Sequence, residues 1–121
     1  MPAELNGTPQ LLLVLSTTCR YCTQSMPFYT QLAKLPQVAA GRLRLSVVSL
    51  QSQEQMQAYL EANGLRMERI VSLRDSGLNI TGTPVLVLVS PDGIVRDSWG
   101  GWLPPAQEAM VLDTISHLIP S

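Results

Sequence analysis

The chain of 121 residues has only two cysteines, Cys19 and Cys22, both in one CxxC, so none is left over for a structural disulfide and stability has to come from a packed core. Basic surplus is also missing. Eight Lys and Arg against nine Asp and Glu leave a formal charge of −1 and a pI near 5.7, which offers no electrostatic hold on nucleic acid or an anionic membrane. No long apolar run occurs: residues 11–15 and 85–89 fall far short of the roughly 18 that would span a bilayer, and neither stands behind a basic segment. No anchor or signal peptide is therefore expected within these residues. The one histidine, His117, is far along the chain from the cysteines, so a closed zinc site would want for ligands. Internal repeats, linkers and low-complexity stretches are absent too. What is present is 45% hydrophobic residues and a mean hydropathy of +0.15, enough for one compact domain over residues 1–121.

The apolar residues are arranged in short, well-punctuated elements. Residues 11–15 (Leu-Leu-Leu-Val-Leu) form a continuous run after Gly7 and Pro9, as in a central strand covered on both faces. Phe28, Leu32 and Leu35 follow at i, i+4 and i+7, predicting a helix bent at Pro27 and stopped at Pro36. Residues 43–50 read as a second strand. Ser52 with Gln55 resembles a capping box, and Met56, Tyr59 and Leu60 share a helical face until Asn63-Gly64, predicting a helix over about 53–63. Residues 67–73 suggest a short extra strand, then a turn or helical stub through Gly77 to Ile80. Residues 85–89 and 94–99 flank Ser90-Pro91-Asp92-Gly93, a hairpin signal. Pro104-Pro105 opens a last helix, with Ala109, Leu112, Ile115 and Leu118 expected to make its buried face and Pro120 its end. The order βαβα then ββα implies an α/β fold: a mixed sheet with helices on both faces, its first two strands parallel and its last two an antiparallel hairpin.

Cys19-Arg20-Tyr21-Cys22 stands between the first strand and the first helix, where unpaired helix N–H groups favour a thiolate. Cys19 is then the nucleophile and Cys22, one turn on, the resolving thiol. Alone, a CxxC is either redox-active or metal-binding.

Further residues narrow the choice. Residues 16–22 (Ser-Thr-Thr-Cys-Arg-Tyr-Cys), Pro27 five residues after the second cysteine, and the stretch 80–95 containing Thr83-Pro84 followed by Gly100 together resemble the thioredoxin superfamily. Within it they look like the TlpA/ResA-like thiol-disulfide oxidoreductases. Tyr21-Cys22 is also seen in glutaredoxins, but the 62-residue separation of Cys22 from Pro84 fits the strand-helix insertion of TlpA-like members.

The resemblance implies a thioredoxin-like domain in which Pro84 is cis, lies beside the CxxC, and lets the Thr83 backbone pair with a substrate segment. It implies thiol-disulfide exchange with protein disulfides or dithiols and a protein redox partner, and it calls for no cofactor and no metal. Arg20 would help to lower the Cys19 pKa, and Tyr21 and Trp102 are candidates for substrate contact. Two proton acceptors of related proteins are missing, since Leu13 stands where thioredoxins keep a buried acid and Ser25 where ResA-like members have a Glu. Trp before the first cysteine is replaced by Thr18. The alternative reading is a non-catalytic module of the same fold that holds a protein partner or a metal at the CxxC. Among other residues, His117 reads as a helix-end surface group, Met26, Met56, Met67 and Met110 as core filling, and Arg66, Arg69 and Arg74 as a solvated face. The resemblance favours an extracytoplasmic setting, in periplasm or cell envelope, for a chain relieved of a leader or anchor, and the cytoplasm otherwise.

Overall fold

The uninterrupted apolar run of residues 11–15 becomes the middle strand of a sheet. The structure, a computed structural model, describes residues 7–67 and 69–120. Strand β1 (Gln10–Leu15) is buried along its whole length, as five consecutive apolar side chains require when both faces are covered. It pairs in parallel with β2 (Arg44–Ser49) and antiparallel with β4 (Val85–Val89). A short β3 (Ile70–Ser72) lies parallel to β2 on one edge, and β5 (Val95–Gly100) lies antiparallel to β4 on the other. The sheet order is β3-β2-β1-β4-β5. Residue 68, inside the range predicted for the extra strand, is outside the described residues.

Alternation along β1 divides the core in two. Leu11, Leu13 and Leu15 join the larger cluster, with Phe28, Tyr29 and Leu32 from α2 (Met26–Ala33), Met56 and Leu60 from α4 (Gln53–Ala62), and Val111 and Ile115 from α6 (Pro105–Leu118). Leu12 and Val14 face the other way, with Val48, Val87 and Val89, and are covered by Leu73 of the one-turn α5 (Leu73–Ser76) and by Leu78 and Ile80. Helices thus lie on both faces, but very unequally. The hairpin forms as expected, with a register shift at Leu88/Val89, and the capping box of Ser52 and Gln55 opens α4.

Five expectations need correction. The first helix is broken rather than bent: α1 (Arg20–Gln24) ends at Ser25, and α2 starts afresh, because the Pro27 ring has no N–H and would meet the carbonyl four residues back. Pro36 does not merely stop a helix. It takes the first position of another single turn, α3 (Pro36–Ala39), where its fixed φ fits. On α6, Ala109 is exposed, and the buried positions are Val111, Ile115 and, just past its end, Ile119. At 3.6 residues per turn, Ala109 and Leu118 stand about 180° apart, so steps of three could not keep one face. Met110, beside Val111, consequently points to solvent with 60% of its surface exposed, unlike buried Met26 and Met56. Arg69 is half-buried rather than part of a solvated face, since its carbonyl accepts from Val47 N–H at 3.0 Å where β3 joins the sheet.

Candidate active site

The chain leaves β1 at Leu15, crosses residues 16–18, and enters α1 with Cys19 as its N-cap. The Cys22 N–H donates to the Cys19 sulfur at 3.1 Å, so the thiol does what a Ser or Asp cap usually does. Cys19 is half-buried and Cys22 fully buried, both as free thiols. Register brings the second half of the site alongside. Val14 faces Val85 across the β1/β4 pair, which sets the residues just before Val85 beside the residues just after β1. Those residues are Thr83 and Pro84, joined by a cis peptide bond. The Thr83 hydroxyl acts on both thiols, lowering the pKa of each. At the end of β5, Gly101, with φ of 79°, turns the chain so that its N–H donates to the Pro84 carbonyl at 2.8 Å. Trp102, about half exposed, follows directly on this turn.

The two thiols differ sharply. For Cys19, partial burial pushes the pKa up, but hydrogen bonds from the Cys22 thiol, from Thr83, and from the Cys22 and Tyr21 amides outweigh it and bring the thiol below its ordinary 9.0. For Cys22, burial pushes the thiol up to about 12, and the bond it donates to Cys19 adds to this, against lesser opposition from the Ser16 amide and Thr83. One thiol is set to ionise and the other to keep its proton. Arg20 is exposed on α1 and is not among the groups acting most strongly on Cys19, so helix-end amides and Thr83 carry the effect. Tyr21 is also exposed, at 52%.

Residues with no local motif complete the surroundings. Tyr29 is buried among the apolar groups next to Cys22, and its hydroxyl is pushed up in pKa by burial, partly relieved by a hydrogen bond to Ser25. Ser25 itself donates to the Tyr21 carbonyl at 2.7 Å, so the place of the missing acid is taken by a neutral hydroxyl. Tyr59 reaches over from α4 to share a 2.6 Å hydrogen bond with Thr23. Gln51, between β2 and α4, bonds the loop before Cys19. Helical spacing marked Tyr59 only as part of a core face, and nothing in the sequence marked Gln51.

His117 is exposed on α6, its ring nitrogen 2.8 Å from the Asp113 carbonyl oxygen. Among the described residues no three His, Cys, Asp or Glu gather as metal ligands, and no helix is long and apolar enough to cross a membrane.

Comparison with known proteins agrees with this geometry. A family model described as a thioredoxin-like domain matches residues 2–116. No curated protein matches the sequence. Among solved structures, a secreted Mycobacterium tuberculosis disulfide oxidoreductase, described as homologous to DsbE of E. coli, is 19% identical with a TM-score of 0.68, the match covering 96% of this chain and 86% of that one. DsbF, also of M. tuberculosis, is 20% identical over 95% of this chain and 84% of its own, with a TM-score of 0.67. StoA from Bacillus subtilis is 20% identical over 88% and 84%, with a TM-score of 0.61. These likenesses are in the fold.

Proposed function

The chain belongs to the thioredoxin-like domain family, and from that premise we propose that it passes electron pairs between its Cys19–Cys22 dithiol and the disulfides of protein substrates. It is a thiol-disulfide oxidoreductase. The observation that carries this reading is the unequal placement of two thiols three positions apart: Cys19 caps α1 half-buried, with the Cys22 N–H 3.1 Å from its sulfur, and Cys22 is buried behind it, which lowers the first thiol and raises the second. A module that only holds a partner has no need of that difference.

In the reducing direction, the Cys19 thiolate attacks a substrate disulfide; a Cys19–substrate S–S bond forms and the other substrate sulfur leaves as thiolate, which takes up a proton. Cys22 then gives up its proton and attacks the Cys19 sulfur, closing the Cys19–Cys22 disulfide and releasing the second substrate thiolate. Two electrons have moved to the substrate. Run backwards, the same steps oxidise a substrate dithiol, and a protein redox partner resets the pair in either case. The Thr83 hydroxyl acts on both thiols as they change charge, and its backbone beside Pro84 is the edge on which an extended substrate segment pairs. Trp102 and Tyr21, both large and exposed, supply apolar contact to that segment.

The 62-residue separation of Cys22 from Pro84 supports placement on the TlpA/ResA-like branch, and the secreted M. tuberculosis neighbour supports an extracytoplasmic setting. The test is equilibration in defined thiol buffers with free thiols counted by alkylation. The expected result is one two-electron couple, near or below about −270 mV for a reductant or at about −120 to −180 mV for an oxidant. Two thiols that titrate independently, or that never close, would overturn the reading.

A further inference from the structure

Gln51 makes contacts that neither strand pairing nor helix capping accounts for. Its side-chain oxygen accepts from the Thr17 N–H at 2.9 Å, and its amide nitrogen donates to Ser16 Oγ at 3.2 Å, bridging 34 and 35 positions of sequence. Ser16 is buried, and its hydroxyl also meets Thr18 Oγ1 at 3.0 Å and accepts from Thr18 N–H at 3.3 Å. The Ser16 main chain faces both cysteines. Its carbonyl accepts from Cys19 N–H at 3.2 Å, and its amide is among the groups that lower the Cys22 pKa against burial.

Gln51 is itself held firmly. Ser49 Oγ donates to the Gln51 carbonyl at 2.8 Å and accepts from the Gln51 N–H at 3.0 Å, while Leu50 N–H donates to the Leu15 carbonyl at 3.2 Å. The side chain therefore ties the loop before the CxxC to the ends of both central strands. Its outer side lines an open groove of about 560 Å³ with Ser52, Gln53 and Asp75, so a changed side chain has room.

We propose that Gln51 is a positioning residue for the resolving thiol, holding Ser16 so that the Ser16 amide stays aimed at the Cys22 sulfur. The proposal rests on the oxidoreductase reading and specifies one step of it. When Cys22 loses its proton and attacks Cys19 in the mixed disulfide, the Ser16 N–H stabilises the attacking thiolate. The first attack depends instead on donors to Cys19 from Cys22, Thr83 and the Tyr21 amide, none of which Gln51 touches. Loss of the Gln51 amide should slow the second step and spare the first.

The test uses reduced protein mixed with oxidised glutathione, quenched at intervals so that formation and decay of the glutathione mixed disulfide are timed separately. Gln51→Met keeps the length of the side chain and removes both hydrogen bonds. It should slow decay about fivefold, the worth of one net hydrogen bond, and leave formation within about twofold. Ser16→Ala breaks one of the two bonds and should slow decay by no more than Gln51→Met does, and the double variant should be no slower than Gln51→Met, because both act through the same tie. Decay unchanged, decay and formation slowed alike, or additive effects of the two substitutions would each overturn the proposal. Should Gln51→Met not fold, the decay rate of Ser16→Ala decides alone, slower in support and unchanged against. Failure of the unaltered protein to form any mixed disulfide would instead sink the oxidoreductase reading beneath it.

Discussion

Cys19 and Cys22 are chemically identical until the fold sets one at a helix end and the other beneath it. The Thr83 hydroxyl lowers both thiols, so Thr83→Val, which keeps the shape and removes the hydroxyl, should raise both pKa values. Alkylation of Cys19 at pH 7 should then fall about tenfold, the scale of one hydrogen bond to a charged group, and a stopped-flow alkylation series across pH would show it. Burial of Cys22 also has a cost in alkali. Because its folded pKa of about 12 lies above the ordinary 9.0, the unfolded chain releases this proton first, so stability is fully present below pH 9 and is lost progressively as pH rises toward 12. Cys19, displaced downward, acts oppositely at lower pH and does not cancel this window. The oxidised protein has no thiols to titrate. Denaturant melts of the two forms between pH 9 and 11 should therefore diverge, the reduced form weakening faster, and parallel curves would speak against the burial argument.

At the level of elements, caps and turns read clearly from sequence and helix faces less so. The capping box at Ser52 forms with both of its hydrogen bonds, and Ser52→Ala should cost about 1 kcal/mol in thermal or denaturant unfolding without altering thiol reactivity. The central strand and the Asp-Gly hairpin were legible because each depends on a short local pattern, whereas the adjacency of Thr83-Pro84 to the cysteines came only from the family resemblance. The break at Ser25 was not legible, since a proline within a helical pattern either kinks the helix or ends it, and the sequence pattern is the same for both. The face of α6 was misread through Ala109, small enough to suit either side. Gln51 and Tyr59 were invisible as site residues. They bond the chain on either side of the CxxC, Ser16 and Thr17 before it and Thr23 after it, from 34 to 36 positions away, and no spacing rule connects them to it.

The molecule as a whole is a sheet with a thick side and a thin side. The thick side buries α1, α2, α4 and α6 in one cluster with Cys22 inside it, and the thin side covers Leu12, Val14, Val48, Val87 and Val89 with little beyond Leu73, Leu78 and Ile80. The chain that covers the thin side runs on directly into Thr83 and Pro84. The redox loop therefore sits where the well-packed helical layer meets a lightly packed segment, one thiol anchored in the first and its partner edge supplied by the second. That division of labour makes the central claim testable by separating the two thiols. Cys22→Ser and Cys19→Ser proteins, each reduced and then exposed to disulfide-containing proteins of a cell extract, should be compared on non-reducing gels. Cys22→Ser should accumulate covalent adducts that dissolve in reductant, and Cys19→Ser should form none; adducts missing from the first, or equally abundant on the second, would contradict the account.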